Sequence, residues 1–474
     1  MAEGLPAFVL ASASVILIDN FTTTVLGFGI RSYPGLERSL YGLLFCLLMA
    51  LWYRQVRIWE RAIVSHYSER NLRLLLMILM AVLVSGTVLA YATTRPERKM
   101  ETSGRSGSER LPNILLIGSD GINAVSMSAY GYQHDTTPFI REFAKDALIC
   151  ENAFANATRS LSSITSMLTG KLPTQTRLIC APDILRGEDA YEHLPGMLRG
   201  YGYRSIQLAV RNYADAYDAN MRSAFDSVNF RSAEQQQVLE SISKYVGQEA
   251  AYFLQQALDR MQERLLHIFW IRDMIDPFAE VMHRKRETYP DVKKVDGLLA
   301  FLQSSEKPFF AHVHFMGTHG ASMRIRGTEV NSTDSDRIEP ATRDLYEKAI
   351  LEFDRNFERV IRYLEKENQL DNTIVVIYSD HGWRHSIQAK VPLIFRFPRG
   401  ERRGTFSGIV QNIDIAPTLL DYLDIPRPAW VSGQSLLSKE ANACRWVVGV
   451  GPIRTYDQQQ KMKLRAEAQV RGRP

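Results

Sequence analysis

Five short apolar runs limit the fold most. NILLIG (113–118), YRSIQLAV (203–210), FFAHVHF (309–315), TIVVIY (373–378) and PLIFRF (392–397) read as strands buried on both faces, because a strand with one wet face would alternate apolar with polar. Helical patterns lie between them. Over 346–364, Tyr346, Ile350, Phe353, Phe357, Val360 or Ile361, and Leu364 recur at helical spacing and make one core-facing stripe. Strands alternating with helices predict an α/β chain with a largely parallel central sheet covered by helices on both faces.

In such sheets a site forms at the carboxyl ends of the strands. The run 113–118 leads into SDG and places Asp120 there; 373–378 leads into SDHGW and places Asp380 and His381; 309–315 leads into MGTHG and places His319. An aspartate after a strand is by default a turn residue or a helix cap. Two of them, with imidazoles at parallel strand ends, point instead to one divalent metal ion. Carboxylate with imidazole suits Zn or Mn, and a carboxylate-rich set suits Ca or Mg. A further segment, NATRSLSSITSMLTG (156–170), reads as a short helix with Leu161, Ile164 and Leu168 on one face and Gly170 at its end. Ser160 stands at or just before its first turn. A serine there is by default an N-cap. The same helix end also favours a tetrahedral anion, and a nearby cation would lower the pKa of the hydroxyl.

The first hundred residues are a different material. Residues 74–94 carry no charge over 21 positions, enough to cross a bilayer. Residues 39–53 are apolar but short, with Arg38 and Arg54 at their ends, and residues 7–30 read as a first span that carries Asp19. The chain is thus expected to have a membrane domain of two or three helices over 1–94, with a cleavable signal peptide as the competing reading of its start. Arg54, Arg57, Arg61, Arg70 and Arg73 precede the last span and favour an inside loop, so everything after 94 is expected outside the cytoplasm of a cell (inner) membrane. Residues 95–111 read as a flexible linker. The catalytic region is expected over 112–430, with a helical insertion at about 232–305 that is either a lid or membrane-facing surface over the site or, more simply, helices on the flank of the domain. Residues 431–474 make a short C-terminal region whose basic tail, from Lys461, reads as disordered. A formal net charge of +5 over 474 residues does not favour nucleic acid as a partner. Cys46, Cys150, Cys180 and Cys444 show no metal spacing. Asn156 and Asn331 stand in glycosylation sequons.

Taken in order, PNILLIGSDG with SAYGYQHDTTPFI, RSLSSITSMLTG, FFAHVHFMGTHG, DNTIVVIYSDHG and NIDIAPTLLDYLDI resemble segments of the alkaline phosphatase/sulfatase superfamily. The resemblance covers about residues 112–425. It implies that Asp120, Asp380 and His381 are metal ligands, that Ser160 is the nucleophile and a metal contact, and that His319 binds substrate or assists the leaving group. His385 falls near a further substrate histidine, in a loop shortened here. Two departures matter. Sulfatases carry C-x-P-x-R at the nucleophile, where this chain has Ser160, Ser162 and Ile164; they place two aspartates after the first strand, where it has Asp120 and Gly121. The arginine usual just after the first metal ligand is also missing, since 121–124 read GINA. One acidic residue, one hydroxyl and then Asp-His resemble the pattern of membrane-anchored phosphoethanolamine and phosphoglycerol transferases, whereas the missing arginine leaves phosphate binding less well accounted for. The leading expectation is therefore a hydrolase or transferase acting on phosphate esters of lipid or glycan through a phospho-serine. A sulfuric ester hydrolase is the alternative, and a membrane protein that binds glycan or lipid without turnover is a third.

Overall fold

The computed structural model describes residues 3–26, 29–30, 35–66, 111–232, 243, 245–272, 290–305, 308–319, 324–325, 328–329, 340–438, 447–456 and 462–471. The principal elements, in chain order, are α1 (Gly4–Phe21), α2 (Leu36–His66), β1 (Asn113–Ser119), β2 (Leu148–Phe154), α3 (Ser160–Thr169), β3 (Arg204–Leu208), β4 (Ser227–Val228), β5 (Arg231–Ser232), α4 (Gln248–Ile268), β6 (Phe309–Phe315), α5 (Pro340–Lys366), β7 (Thr373–Ser379), β8 (Leu393–Arg396), β9 (Gly404–Gln411), β10 (Val447–Tyr456) and β11 (Met462–Arg471). They fall into two compact units, one from Met1–Lys99 with Val238–Asp276, the other from Met100–Gln237 with Pro277–Pro474.

In the first unit α1 runs on through a π-helical stretch, Thr22–Leu26. Gly4–Leu26 and Leu36–Ala62 are long and apolar enough to cross a membrane. The second helix outruns the apolar stretch 39–53, because arginines beyond Arg54 are good helix formers and do not end it. The uncharged run 74–94 and the linker 95–111 lie outside the described residues, save Leu111. Asp19 is buried. It accepts the Ile30 N–H at 3.0 Å and the Nε–H of Arg264 at 2.6 Å. Arg264 belongs to α4, a helix of the insertion. The helix that the sequence places on the flank of the catalytic domain thus packs on α1 and α2, where Arg264 finds Asp19, His267 finds Arg38, and Ile268 joins Ala11, Val15 and Phe45 in one apolar cluster.

The second unit is built on a nine-stranded sheet in the order β9-β2-β8-β7-β1-β6-β3-β4-β5. Only β8 and β5 oppose the common direction. Every residue of β1, β6 and β7 is buried, as their apolar runs require. Ile114, Leu116, Ile374 and Val376 face one core; Leu115, Ile117, Val375 and Ile377 face the other, which includes the α5 stripe Tyr346, Ile350, Phe353, Phe357, Val360, Ile361 and Leu364. The α/β reading with a largely parallel, doubly covered sheet therefore holds.

Residues 462–471 are not a disordered tail. They pair antiparallel with β10 from Val447↔Arg471 to Tyr456↔Met462. Met462, Leu464, Ala466, Ala468 and Val470 alternate in sequence with polar residues, the period of two that a strand has.

Candidate active site

β7, β1 and β6 lie side by side and parallel, so their carboxyl ends share one edge. Asp120 and Asp380 each follow the last residue of their strand, Ser119 and Ser379, which are themselves register partners. Gly121 takes φ +64°, a left-handed turn that glycine adopts without strain. Its N–H donates to Asp380 Oδ1 at 3.1 Å, and the His381 N–H donates to the same oxygen at 2.9 Å. The glycine that stands where sulfatases have a second aspartate thus has a backbone reason.

Ser160 is the first residue of α3, a helix buried along its whole length and closed by Gly170 at φ +69°. Its hydroxyl does not cap the helix. It donates to Asp120 Oδ2 at 3.0 Å. His381 donates Nδ1–H to the Gly382 carbonyl at 2.9 Å, which leaves the Nε2 lone pair facing Asp380 Oδ2 at 3.5 Å and Asp120 Oδ2 at 3.7 Å. Burial works to lower the pKa of His381, but Asp380 and Asp120 outweigh it and hold the group above its ordinary value. His385 Nδ1 lies 3.3 Å from His381 Nε2, and the His319 ring stands 6.1 Å from that of His385. Asp120, Ser160, His319, Asp380, His381 and His385 are therefore brought together in one place. Asn156 is fully buried, with its amide held by Val448 O and the Ile413 N–H, so it offers no glycosylation site; Asn331 lies outside the described residues.

One neighbour is absent from the strand-end reading. His314, inside β6, puts Nε2 3.6 Å from Asp380 Oδ2. Asp120, His314 and Asp380 each hold a potential ligand atom, all within 4.8 Å of one another. The signal lay in the alternation of His312 and His314, which turns both toward one face of a buried strand. Asp120 Oδ1, Asp380 Oδ2 and His314 Nε2 are buried and have no hydrogen-bond partner. Two partnerless carboxylate oxygens in so dry a place are expensive unless a cation neutralises them. The donor set fits one divalent ion: Asp120, His314 and Asp380 form one group, and the Nε2 of His381 and the Oγ of Ser160 stand beside its carboxylates.

A model of the Sulfatase family matches residues 112–425. The chain is 22% identical over 421 residues to the N-acetylglucosamine-6-O-sulfatase of Bacteroides thetaiotaomicron, covering 73% of each chain. It is 21% identical over 418 residues to arylsulfatase K of Rattus norvegicus, covering 78% of this chain and 68% of the relative. A shorter match, 33% over 93 residues, links it to the extracellular sulfatase SULF-1 homolog of Drosophila melanogaster and spans 17% of this chain and 8% of that one. In fold it is similar to a Bacteroides thetaiotaomicron protein of glycosaminoglycan metabolism (TM-score 0.52, 16% identity, 76% and 85% of the two chains) and to a 2-O GAG sulfatase (TM-score 0.51, 17% identity, 72% and 78%). The family match spans the central strands, the serine helix and both aspartate ends, and the chain belongs to the Sulfatase family of the alkaline phosphatase/sulfatase superfamily and is a hydrolase.

Proposed function

We propose that this hydrolase is metal-dependent, that Asp120, Asp380, His381 and Ser160 hold one divalent ion, and that Ser160 attacks a sulfate ester carried on a glycan. The observation that carries the reading is the Ser160 Oγ–H···Asp120 Oδ2 hydrogen bond at 3.0 Å beside two partnerless buried carboxylate oxygens. When bound, the ion would supply a lowered hydroxyl pKa and a neutralising charge for the reacting ester. The chain supplies the rest. Asp120 orients the Ser160 hydroxyl and accepts its proton. Oγ bonds to the sulfur, the S–O bond to the glycan breaks, and His319 gives a proton to the departing oxygen. Water then bonds to the sulfur and gives a proton to His319, the Oγ–S bond breaks, Asp120 returns its proton to Oγ, and sulfate leaves. His385 lies against His381 and is assigned to the substrate.

The choice of sulfate rests on the relatives, which are sulfatases; they favour it over the phosphotransferase that leads the sequence reading. One observation keeps phosphate as a second reading. With Ser162 and Ile164 in place of the proline and arginine of the sulfatase signature, residue 160 stays a plain serine, suited to a phospho-serine step. The candidate spans Gly4–Leu26 and Leu36–Ala62 support an enzyme anchored to a membrane, and Arg54, Arg57, Arg61, Arg70 and Arg73 favour a substrate glycan or lipid on the extracytoplasmic side. The test is turnover of aryl sulfate, phosphomonoester and phosphodiester by the full chain in detergent, with added Ca, Mg, Mn or Zn. Sulfate turnover, cut roughly 10³-fold or more in Ser160→Ala, is expected. Phosphate turnover with a phosphorylated residue 160 by mass spectrometry selects the second reading, and no turnover of any ester overturns both.

A further inference from the structure

The hydrogen bonds behind His314 decide which of its nitrogens carries the proton. They begin at Gln207 in β3. Its Oε1 accepts the Ala216 N–H at 2.7 Å and its Nε2 donates to the Ala214 carbonyl at 3.1 Å, so two backbone groups fix the orientation of the amide. The same Nε2 then donates to Nδ1 of His312 at 2.9 Å. With Nδ1 accepting, His312 bears its proton on Nε2 and donates to the Tyr378 hydroxyl at 2.6 Å. The tyrosine proton has one partner left, Nδ1 of His314 at 3.1 Å. His314 therefore accepts at Nδ1 and carries its own proton on Nε2, the atom beside Asp380 Oδ2. The reverse tautomers would set the Nδ1–H of His312 against the Gln207 amide, donor to donor. The chain of bonds spans β3, β6 and β7 by passing over β1 at Gly118, where a Cβ would come within 2.4 Å of the Tyr378 ring. His381 is the opposite case, with its proton on Nδ1 and its lone pair turned into the site.

We infer that His314 is a positioning residue that presents an Nε2–H to Asp380, not a metal ligand, and that the Gln207–His312–Tyr378 relay holds it so. On the metal reading above, one nitrogen ligand, His381, then stands among oxygens. A second free nitrogen at His314 would move such a set toward Zn.

The test uses the full chain in detergent, labelled with ¹⁵N-histidine, metal-free and loaded with Ca, Mg or Zn, with His314→Gln to assign the resonance. His314 Nε2 stays protonated in both states, while His381 Nε2 shifts on loading. An unprotonated His314 Nε2, or one that shifts as a metal-bound nitrogen, overturns the inference. Gln207→Glu gives a second arm. A carboxylate there accepts from Nδ1–H of His312, reverses each bond of the relay, and frees the His314 lone pair. Zinc affinity relative to magnesium then rises about tenfold or more; an unchanged ratio overturns the relay. His314→Gln keeps an N–H at the same place and holds metal within about tenfold of wild type, whereas a greater loss makes His314 a ligand. The wild-type spectra decide the matter even where the Gln207 variant does not fold. Failure of every metal to bind sinks the metal reading, but the metal-free spectrum still reads the tautomer.

Discussion

Asp120 Oδ1 and Asp380 Oδ2 are buried and accept no hydrogen bond, so a site built for a cation weakens the fold that carries it. This has a measurable sign. Asp380→Asn keeps an oxygen for the Gly121 and His381 N–H groups and replaces the charged, partnerless oxygen with a neutral amide nitrogen beside His381 Nε2 and His314 Nε2. The metal-free variant should melt above wild type, by a few degrees for about 1 kcal/mol, while divalent affinity falls about 100-fold or more. Calorimetry in chelator with metal analysis checks both; a variant that melts below wild type removes the case for a cation nest. A second residue makes a pH prediction away from the site. His193 donates Nε2–H to Arg222 O at 2.8 Å and accepts the Gly196 N–H at 3.0 Å, and burial pushes it down to about 4. The unfolded chain takes up this proton first, near pH 6.5, so the stability it provides is present above that pH and is lost as pH falls toward 4. The loss is about 3 kcal/mol by linkage. Melting temperatures of wild type against His193→Gln, compared from pH 7 to 4.5, should converge on acidification; a constant difference counts against the assignment. The strand-end residues Asp120, Asp380, His381 and His319 were legible because chain order alone puts them at one edge. His314 was not. Inside an apolar run a histidine reads as one more buried side chain, and only the register with Gly118 and Tyr378 shows what it faces.

At the scale of elements, the strands buried on both faces were legible and the half-buried ones were not. LICENAF in β2 and GTFSGIVQ in β9 mix exposed with buried positions at the sheet's edge, so neither makes an apolar run. β8 appears among the apolar runs, but its reversed direction comes from pairing with β7 and β2, which no periodicity encodes. The helix α3 was legible through Leu161, Ile164, Leu168 and Gly170; that its serine serves Asp120 instead of the helix end is a tertiary fact. Gly118 shows the same limit. In sequence it is a glycine in a strand; in the fold it is the gap through which the Tyr378 ring crosses β1. Gly118→Ala should cost about 1–3 kcal/mol or more from overpacking. Tyr378→Leu, which vacates that space, should restore part of it in the double variant, a coupling of about 1 kcal/mol or more in thermal unfolding. Additive effects would show that the ring can move aside at no cost.

For the whole molecule, the chain visits its two units alternately. It begins in the unit of α1 and α2, builds the sheet as far as β5, returns to the first unit through α4, and goes back to complete the sheet. The sequence suggests a membrane segment followed by a separable catalytic domain, since the apolar helices and the sheet are far apart in composition. It does not show that α4 belongs with the former, because Arg264 and His267 look like surface residues until Asp19 and Arg38 are beside them. A protein started at residue 100 therefore strands α4. Ala251, His267 and Ile268, buried in the full chain, lose their cover, and Arg264 loses its carboxylate. A helix in a protein draws most of its stability from the packing of its apolar face, which is what α4 loses. Trypsin should cut such a protein at Arg260 or Arg264 about tenfold faster or more than it cuts the full chain in detergent micelles, with the sheet's own cleavage sites protected equally in both. Arg264→Leu in the full chain should lie between the two, because it removes one partner of a buried ion pair but leaves the apolar contacts. Equal rates in all three would mean that α4 stands without the N-terminal helices, and residues 238–276 would then be an ordinary insertion of the sheet domain.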